Sequence, residues 1–309
     1  MRRIAILVVC VLAPFFALAG LAQAQAQPKT QAQLPTPASA LTETQIHALA
    51  ERVITAQHAD DVALEEFQRI EQHTVYSGSN RRTTEDKFYR VVPTGSGTLK
   101  LLFKDNSSPL DPASYRKQLH DWEQILEIAV NPDDPRQQAV YSKWQKKMKE
   151  RKELLEAARR AYYVTSSGQE MRYGRLCDVL ALEPNPSFVP RSIAENVLAG
   201  SRAKIWIDDA SAQIVHGEAE IIHDISFGGG ILGKLYRGGR FSLDASEVAP
   251  GIWAPYRVQF DYAVRKFLFT FDTHEVTQNS HYRRIGGPAK ALAIAKEELA
   301  QGAPLPADP

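Results

Sequence analysis

The chain is organised around a long stretch that begins AKIWIDDASAQIVHGEAEIIH at residues 203–223 and runs on to Ile285. Apolar and polar residues alternate along most of its segments, and short breaks such as Pro250-Gly251 separate them. A period of two gives each strand one face for a core or cavity, and short breaks favour antiparallel pairing of successive strands. The stretch therefore predicts five strands, which are Lys204–Asp208, Ala212–His223, Arg240–Val248, Ile252–Val264 and Lys266–Gln278.

The chain opens with the pattern of a secretory signal peptide. Met1-Arg2-Arg3 is followed by an almost wholly apolar run from Ile4 to Leu21 and then by the small residues of Ala22-Gln-Ala24. The alternative is a membrane anchor, but a span needs about 20 apolar residues and this run is at the short end. We therefore expect residues 1–24 to be a cleaved signal peptide, residues 25–41 a disordered leader, and the mature protein to lie in the periplasm.

Charge and cysteine usage narrow the function classes. The formal net charge is +1, with 37 Lys and Arg against 36 Asp and Glu, and this balance gives no support to a nucleic-acid partner. Cys10 lies in the signal peptide, so cleavage leaves Cys177 as a single cysteine that cannot form an internal disulfide. Cys177 has no His-containing motif beside it, which favours a small packed side chain over a nucleophile.

A helix and three more strands are predicted before the central stretch. Thr42-Glu-Thr-Gln45 matches a capping box, and the residues after it place apolar side chains at helical spacing, which predicts a helix over Thr42–Ala56. Its apolar stripe needs a surface to lie on, and the sheet supplies one. The further strands are expected at Glu66–Ser77, Arg82–Val92 and Gly97–Lys104, and a terminal helix at Pro288–Leu299 within a tail of residues 286–309.

Residues 112–162 are predicted to be an inserted helical hairpin. Apolar residues recur every three or four positions in Pro112–Val130 and in Arg136–Tyr162, and a turn with two prolines separates the segments. Between Tyr141 and Arg160 the second helix carries eight Lys and Arg against three Glu. This basic face is either simply solvated, or it contacts an acidic partner or lipid headgroups.

No compact catalytic motif interrupts the strands. The Gly-rich segment 224–239 lacks the spacing of a phosphate-binding loop, and it is either a mobile lip over an apolar cavity or a loop packed on the sheet edge. His216, Glu218 and Glu220 share a strand face, which indicates acid–base chemistry or, more simply, the solvated side of the sheet. His216 and His223 are seven positions apart, as are His274 and His281. An odd separation places two residues on opposite faces of a strand, so no metal site and no cofactor are predicted. We expect a protein that is not an enzyme.

Several short motifs resemble one bacterial family. They are Ile205-Trp-Ile-Asp208, Gln213-Ile-Val215, Glu218-Ala-Glu220, Val248-Ala-Pro-Gly-Ile-Trp-Ala-Pro255 and the strand from Phe267 to Glu275. In this order, after a signal peptide and a helix, they resemble the periplasmic outer-membrane lipoprotein-sorting superfamily, the Lol-type carriers. The inserted hairpin and the Gly-rich segment make this chain larger than the sorting carriers that it resembles.

The resemblance implies an α+β fold with a strongly curved antiparallel sheet, an incomplete β-barrel with helices on its concave side. It implies one domain over residues 42–285, interrupted by the hairpin at residues 112–162. The apolar hollow of such a sheet takes acyl chains, and burial of an acyl chain gives about 0.8 kcal/mol per methylene group. We expect a monomer.

The candidate ligand-binding residues are apolar positions on alternating strands, and they are equally compatible with plain core. The lining candidates are Leu99, Leu101, Phe103, Tyr256, Val258, Phe260, Phe267, Phe269 and Phe271, and the lip candidates are Phe227, Ile231, Leu232 and Leu235. The hypothesis is a periplasmic carrier or binding protein that holds a lipid or lipoprotein acyl chain. The alternative is an envelope protein-interaction or sensor module that binds a protein partner through the basic helical hairpin.

Overall fold

The computed structural model describes residues 40–78, 81–227, 233–266 and 269–307, so the predicted signal peptide and most of the predicted leader lie outside the described residues. The described residues form five helices and an antiparallel sheet of 13 strands that is not closed into a barrel. The predicted α+β class with an open, curved antiparallel sheet is confirmed. The helices are α1 (Glu43–Leu64), α2 (Pro112–Ala129), α3 (Pro135–Ala161), α4 (Ile193–Ala199) and α5 (Pro288–Ala300).

The 13 strands include a counterpart of each of the eight strands predicted above. They are β1 (Phe67–Ser77), β2 (Arg82–Pro93), β3 (Thr98–Asp105), β4 (Ser108–Pro109), β5 (Tyr162–Arg172), β6 (Arg175–Pro184), β7 (Ser201–Asp208), β8 (Ile214–Ile221), β9 (Ile225–Phe227), β10 (Gly233–Leu235), β11 (Arg240–Ala249), β12 (Ile252–Lys266) and β13 (Phe269–Arg284).

The strand order places the first and the last strand, β1 and β13, side by side in the middle of the sheet. The order is β4-β3-β2-β1-β13-β12-β11-β8-β7-β6-β5, and β9 and β10 form a small ribbon that joins β12 through β10. β4 and β5 are therefore the two edges of the main sheet. The chain passes from one edge to the other through α2 and α3, so these two helices connect the edges of an open sheet.

The two faces of the sheet carry separate cores. Directly paired residues of antiparallel strands point to the same face, and Val258 and Phe260 are paired with Leu243 and Phe241. These residues pack with the apolar stripe of α1, and we call this side the α1 face. On the opposite face, at the other end of the sheet, Leu101 and Phe103 pack under α2 and α5.

The two helices of the predicted hairpin pack against different parts of the molecule. The buried side of α2 contacts α5 and β3, and the buried end of α3 contacts Leu198 of α4 and Tyr162 at the start of β5. The turn at residues 131–134 joins them. None of the helices within the described residues is long and apolar enough to span a bilayer.

A β-bulge changes the direction of one predicted lining residue. Asp244 pairs with Arg257 and Ala245 pairs with Pro255, which leaves Tyr256 as the extra residue between them. The Tyr256 ring lies edge-on to Tyr173 at 6.5 Å, and the Tyr173 hydroxyl donates to Asp244 on the opposite face. Tyr256 therefore leaves the face of Val258 and Phe260, which the simple alternation had predicted it would share.

Candidate binding face

The N-terminal half of α1 lies on the sheet through apolar contacts. Thr42 caps this helix: its Oγ1 accepts from the Gln45 amide at 3.4 Å, and its own amide donates to Gln45 Oε1 at 2.8 Å, as the capping-box motif predicts. Ile46, Leu49 and Val53 then form one buried stripe at helical spacing. They pack on the core of the α1 face, whose sheet residues include Phe241, Leu243, Val258, Phe260, Tyr262 and Val264.

The C-terminal half of α1 is held by a buried carboxylate. Asp60 accepts a hydrogen bond from Gln213 Nε2 at 2.7 Å and another from the Trp253 amide at 3.0 Å. Burial raises the pKa of Asp60, and the two hydrogen bonds oppose the rise. Because a buried carboxylate is costly unless it is hydrogen-bonded, these two donors fix where this part of the helix sits on β8 and β12.

The next residue of α1 makes an ion pair with α3. Asp61 Oδ2 lies 2.9 Å from Arg151 Nη2, and each side chain is only 15% exposed. Burial raises the pKa of Asp61 to about 6, although the Arg151 charge opposes the rise. Burial also lowers the pKa of Arg151. The cost of removing both groups from water therefore exceeds the attraction between them.

Two further polar contacts extend this pairing along α1 and α3. Trp144 Nε1 donates to Glu65 Oε1 at 3.3 Å, and Arg159 Nη1 lies 2.6 Å from Glu51 Oε1. The contacting positions rise from 144 to 159 along α3 while they fall from 65 to 51 along α1, so the two helices run antiparallel. We call these three contacts, Trp144–Glu65, Arg151–Asp61 and Arg159–Glu51, the polar seam.

Two small cavities lie in or beside the core of the α1 face, and the first of them is lined in part by α1. One of about 20 Å³ is bounded by Asp60, Asp61, Arg151 and Trp253. The other, of about 10 Å³, is almost wholly apolar and is bounded by Leu235, Phe241, Phe260 and Tyr262. Each has room for about one water molecule, so an acyl chain needs space that a movement of α1 would have to create.

The structure brings together some of the predicted lining residues and separates others. Val258, Phe260 and Leu235 are buried in the core of the α1 face. Leu99, Leu101 and Phe103 belong to the other core, beneath α2 and α5, where Trp122 and Leu126 cover them. Phe267, Ile231 and Leu232 lie outside the described residues, and Phe227 ends β9.

Phe269 and Phe271 extend the α1 face beyond the part that α1 covers. Phe271 is paired with Val264, and Phe269 is paired with Lys266. Since paired residues share a face, both phenylalanines stand on the same side as the buried Val264. Phe269 is 70% exposed and Phe271 48% exposed, so an apolar strip runs from the core under α1 to the surface.

The predicted acid–base cluster is a closed network on the opposite face. His216 is buried, with its Nδ1 2.6 Å from Asp244 Oδ1 and its Nε2 2.8 Å from Glu218 Oε1. The Tyr173 hydroxyl donates to the same Asp244 oxygen at 2.6 Å. Burial raises the pKa of Asp244, but the hydrogen bonds from His216 and Tyr173 outweigh it and hold that pKa below its usual value. Both ring nitrogens of His216 are therefore within hydrogen-bonding distance of carboxylates.

Glu220 and Cys177, the other residues with reactive side chains considered above, both have surroundings that explain them as parts of the fold. Glu220 forms a salt bridge with Arg202 at 2.8 Å on the exposed side of β7 and β8. Cys177 is fully buried, as the sequence predicts, and burial raises the pKa of its thiol to about 11. Within the described ranges, no group of three or more His, Cys, Asp or Glu side chains is arranged to hold a metal ion.

Sequence reasoning missed the polar residues that anchor α1. Asp60 and Asp61 follow the predicted end of the helix at Ala56, and α1 in fact continues to Leu64. The signal that was available is the helical spacing, since Asp60 and Leu64 continue the stripe of Leu49 and Val53. Their partners Gln213 and Arg151 are distant in sequence, and no local pattern identifies them.

Comparison with known proteins finds similarity in fold. No protein-family model and no curated protein matches the sequence. An outer membrane lipoprotein-sorting protein domain from Vibrio parahaemolyticus matches with 10% identity and a TM-score of 0.32, over 76% of this chain and 92% of that one. A LolA superfamily protein from Nitrosomonas europaea matches with 10% identity and a TM-score of 0.33, over 80% of this chain and 96% of that one.

A third solved structure is similar to this chain at the same low level of identity. A DUF1329 family protein from Desulfovibrio piger matches with 12% identity and a TM-score of 0.29, over 77% of this chain and 92% of that one. At identities near 10% and TM-scores near 0.3, these likenesses assign no family and no ligand to this chain.

Proposed function

We propose that this protein is a non-enzymatic carrier or binding protein of the periplasm that holds a lipid or lipoprotein acyl chain against the α1 face of its sheet. The observation that carries the proposal is the apolar strip formed by Val264, Phe271 and Phe269, which runs from a buried core to an exposed edge. Exposed apolar strips that are continuous with a core are typical of sites that receive an apolar ligand.

The two halves of α1 support a specific way of binding. The half with Ile46, Leu49 and Val53 touches the sheet through apolar groups, which an acyl chain can replace. Its polar contacts, Glu51 with Arg159 and Arg52 with the Asp209 carbonyl, are exposed, so water can replace them when this half moves. The half with Asp60 and Asp61 is fixed by buried hydrogen bonds and by the Arg151–Asp61 and Trp144–Glu65 contacts of the polar seam. The acyl chain therefore enters along Phe269 and Phe271 and displaces the first half of α1, while the second half stays in place.

Uptake of a fluorescent fatty acid tests the proposal. The variant Phe269→Glu places a charge on the exposed end of the strip, and we expect it to weaken binding at least tenfold because the charge must be removed from water. Met171→Glu is the matched control, since Met171 is 59% exposed on the edge strand β5 and away from the strip. Its binding should equal that of the unchanged protein, and circular dichroism checks that both variants fold.

Native mass spectrometry of protein purified from membrane-containing cells gives a second measurement. A co-purifying lipid that is lost in Phe269→Glu and kept in Met171→Glu supports a carrier. A protein that carries no lipid and takes up no fatty acid overturns the proposal. Equal binding by both variants contradicts the entry route along Phe269.

Hydrogen exchange tests the displacement of α1. Added fatty acid should speed exchange in residues 43–53 and leave residues 57–64 unchanged, because only the first half moves. Faster exchange along the whole helix would contradict a fixed second half.

The alternative function, an envelope module that binds a protein partner through α3, rests on the exposed basic surface of that helix and predicts no change in α1 on addition of a fatty acid.

A further inference from the structure

The first half of α3 carries a dense positive surface. Lys143, Lys146, Lys147 and Lys149 fall within nine residues that contain no acidic side chain, and all four are exposed. The whole chain has a formal net charge of only +1. The positive charge is therefore concentrated at this place and is not a general property of the protein.

None of these four lysines takes part in the polar seam. The seam takes Trp144, Arg151 and Arg159 from the side of α3 that faces α1. Within the described residues, neither Lys143 nor Lys147 forms a salt bridge. Two other lysines pair with glutamates one turn away, Lys146 with Glu150 at 3.9 Å and Lys149 with Glu153 at 3.8 Å. All four of these partners are more than 60% exposed, and such pairs are held weakly.

Two exposed apolar side chains stand beside the lysines. Val140 is 45% exposed and Tyr141 is 44% exposed. The Tyr141 ring is stacked on Trp144, with the ring centres 5.5 Å apart. Tyrosine suits the boundary between water and lipid because its ring is apolar and its hydroxyl is polar. Residues 140–149 extend about 14 Å along the helix, which is a footprint of several lipid headgroups.

We propose that this lysine surface, formed by Val140, Tyr141, Lys143, Lys146, Lys147 and Lys149, docks the protein on an anionic lipid bilayer. Lysine is a flexible point charge, whereas arginine forms the fixed two-point contacts that shaped protein interfaces favour. The surface contains four lysines and no arginine, and they are spread around the solvent side of the helix. This arrangement fits a diffuse field of phosphates better than a shaped acidic protein. Docking does not depend on whether an acyl chain is bound.

Vesicle sedimentation tests the docking. The probes are vesicles of pure phosphatidylcholine and vesicles with 30 mol% phosphatidylglycerol, at low and at high salt. The unchanged protein should bind only the anionic vesicles and should be released by salt, since screening weakens the attraction. Each lysine near an anionic surface is worth about fivefold in affinity, so the triple variant Lys143→Gln, Lys146→Gln, Lys147→Gln should bind about 100-fold more weakly.

A matched control keeps the total charge change the same. The triple variant Arg116→Gln, Lys117→Gln, Lys290→Gln removes three exposed charges from α2 and α5, which lie on the opposite face. Its vesicle binding should change less than twofold. Equal loss in both triple variants, or no binding of the unchanged protein at low salt, overturns the proposal. Binding of an acidic protein without binding of vesicles assigns the surface to a protein partner and also overturns it.

A site-specific label locates the contact. Cys177 is buried, so a cysteine introduced by Tyr141→Cys can be labelled selectively in the mature chain with an environment-sensitive dye. Emission from the dye at position 141 should shift to the blue on anionic vesicles, and emission from a dye at Lys117→Cys should not shift. A shift at position 117 alone would place the membrane contact on α2.

Discussion

Helices α1 and α2 both cover the sheet, but they are held on it in different ways. The buried side of α2 consists of Tyr115, Leu119, Trp122 and Leu126, all fully enclosed by β-strands and α5. The buried side of α1 combines a short apolar stripe with Asp60 and a desolvated ion pair, and a small cavity adjoins it. We therefore expect the α2 core to provide stability and the α1 face to be the part that opens in the proposed carrier.

The largest effect is expected from truncation of a leucine in the α2 core. Leu119→Ala should lower the free energy of unfolding by about 4 kcal/mol, because its enclosed site cannot collapse around the cavity. Leu49→Ala on α1 is the same chemical change and should cost about 2 kcal/mol, since α1 can settle onto the sheet. Urea denaturation of both variants measures the difference. Equal costs would show that α1 is as firmly packed as α2.

The buried ion pair gives the next largest effect. Arg151→Met leaves Asp61 buried without its partner and should destabilise the protein by about 3 kcal/mol at pH 7.5. The double variant Asp61→Leu, Arg151→Met should return to at least the original stability, because apolar side chains need no hydration. A double-mutant cycle from denaturation curves measures the coupling. A double variant as unstable as the single one would show that the pair stabilises α1 directly.

The pH dependence of stability should report the desolvation of Asp61. Its pKa is raised from 3.8 to about 6 in the folded protein, so the ionised carboxylate is disfavoured by folding. This group therefore adds stability as the pH falls through 6 towards 4 and loses it as the pH rises. Relative to Asp61→Asn, the unchanged protein should gain about 2 kcal/mol between pH 7.5 and pH 4.5. A constant difference between the two curves would mean that the Asp61 pKa is not raised.

The smallest effect concerns the start of α1. Thr42→Ala removes the capping box and should cost about 1 kcal/mol, mainly by fraying the first turns of the helix. Thr55→Ala in the middle of the same helix is the matched control and should be close to neutral, because its hydroxyl donates to the Glu51 carbonyl of its own helix. Hydrogen exchange of residues 43–49 measures both. Equal exchange in the two variants would show that the cap does not hold this half of α1.

Alternation in the sequence located eight of the strands, because each face of a strand is set by a period of two. It could not say which helix covers a given face. Leu101 and Phe103 have the same local pattern as Val258 and Phe260, and they lie in different cores. Tyr256 left its predicted face because of a bulge that depends on the pairing with β11. The sequence could not predict that Asp61 anchors α1, because its partner Arg151 is 90 positions away in the sequence.

The pairing of β1 with β13 has a consequence for how the chain folds. Arg69 in β1 donates to Asn279 in β13 at 3.0 Å, across 210 positions of sequence. Contacts at such separations form late, because the entropy of closing the long intervening loop must be overcome first. During synthesis the hairpin of β1 and β2 thus waits with one exposed edge until almost the whole chain has emerged. An exposed edge of this kind favours aggregation, so the yield of folded protein depends on how the unfinished chain is protected before β13 arrives.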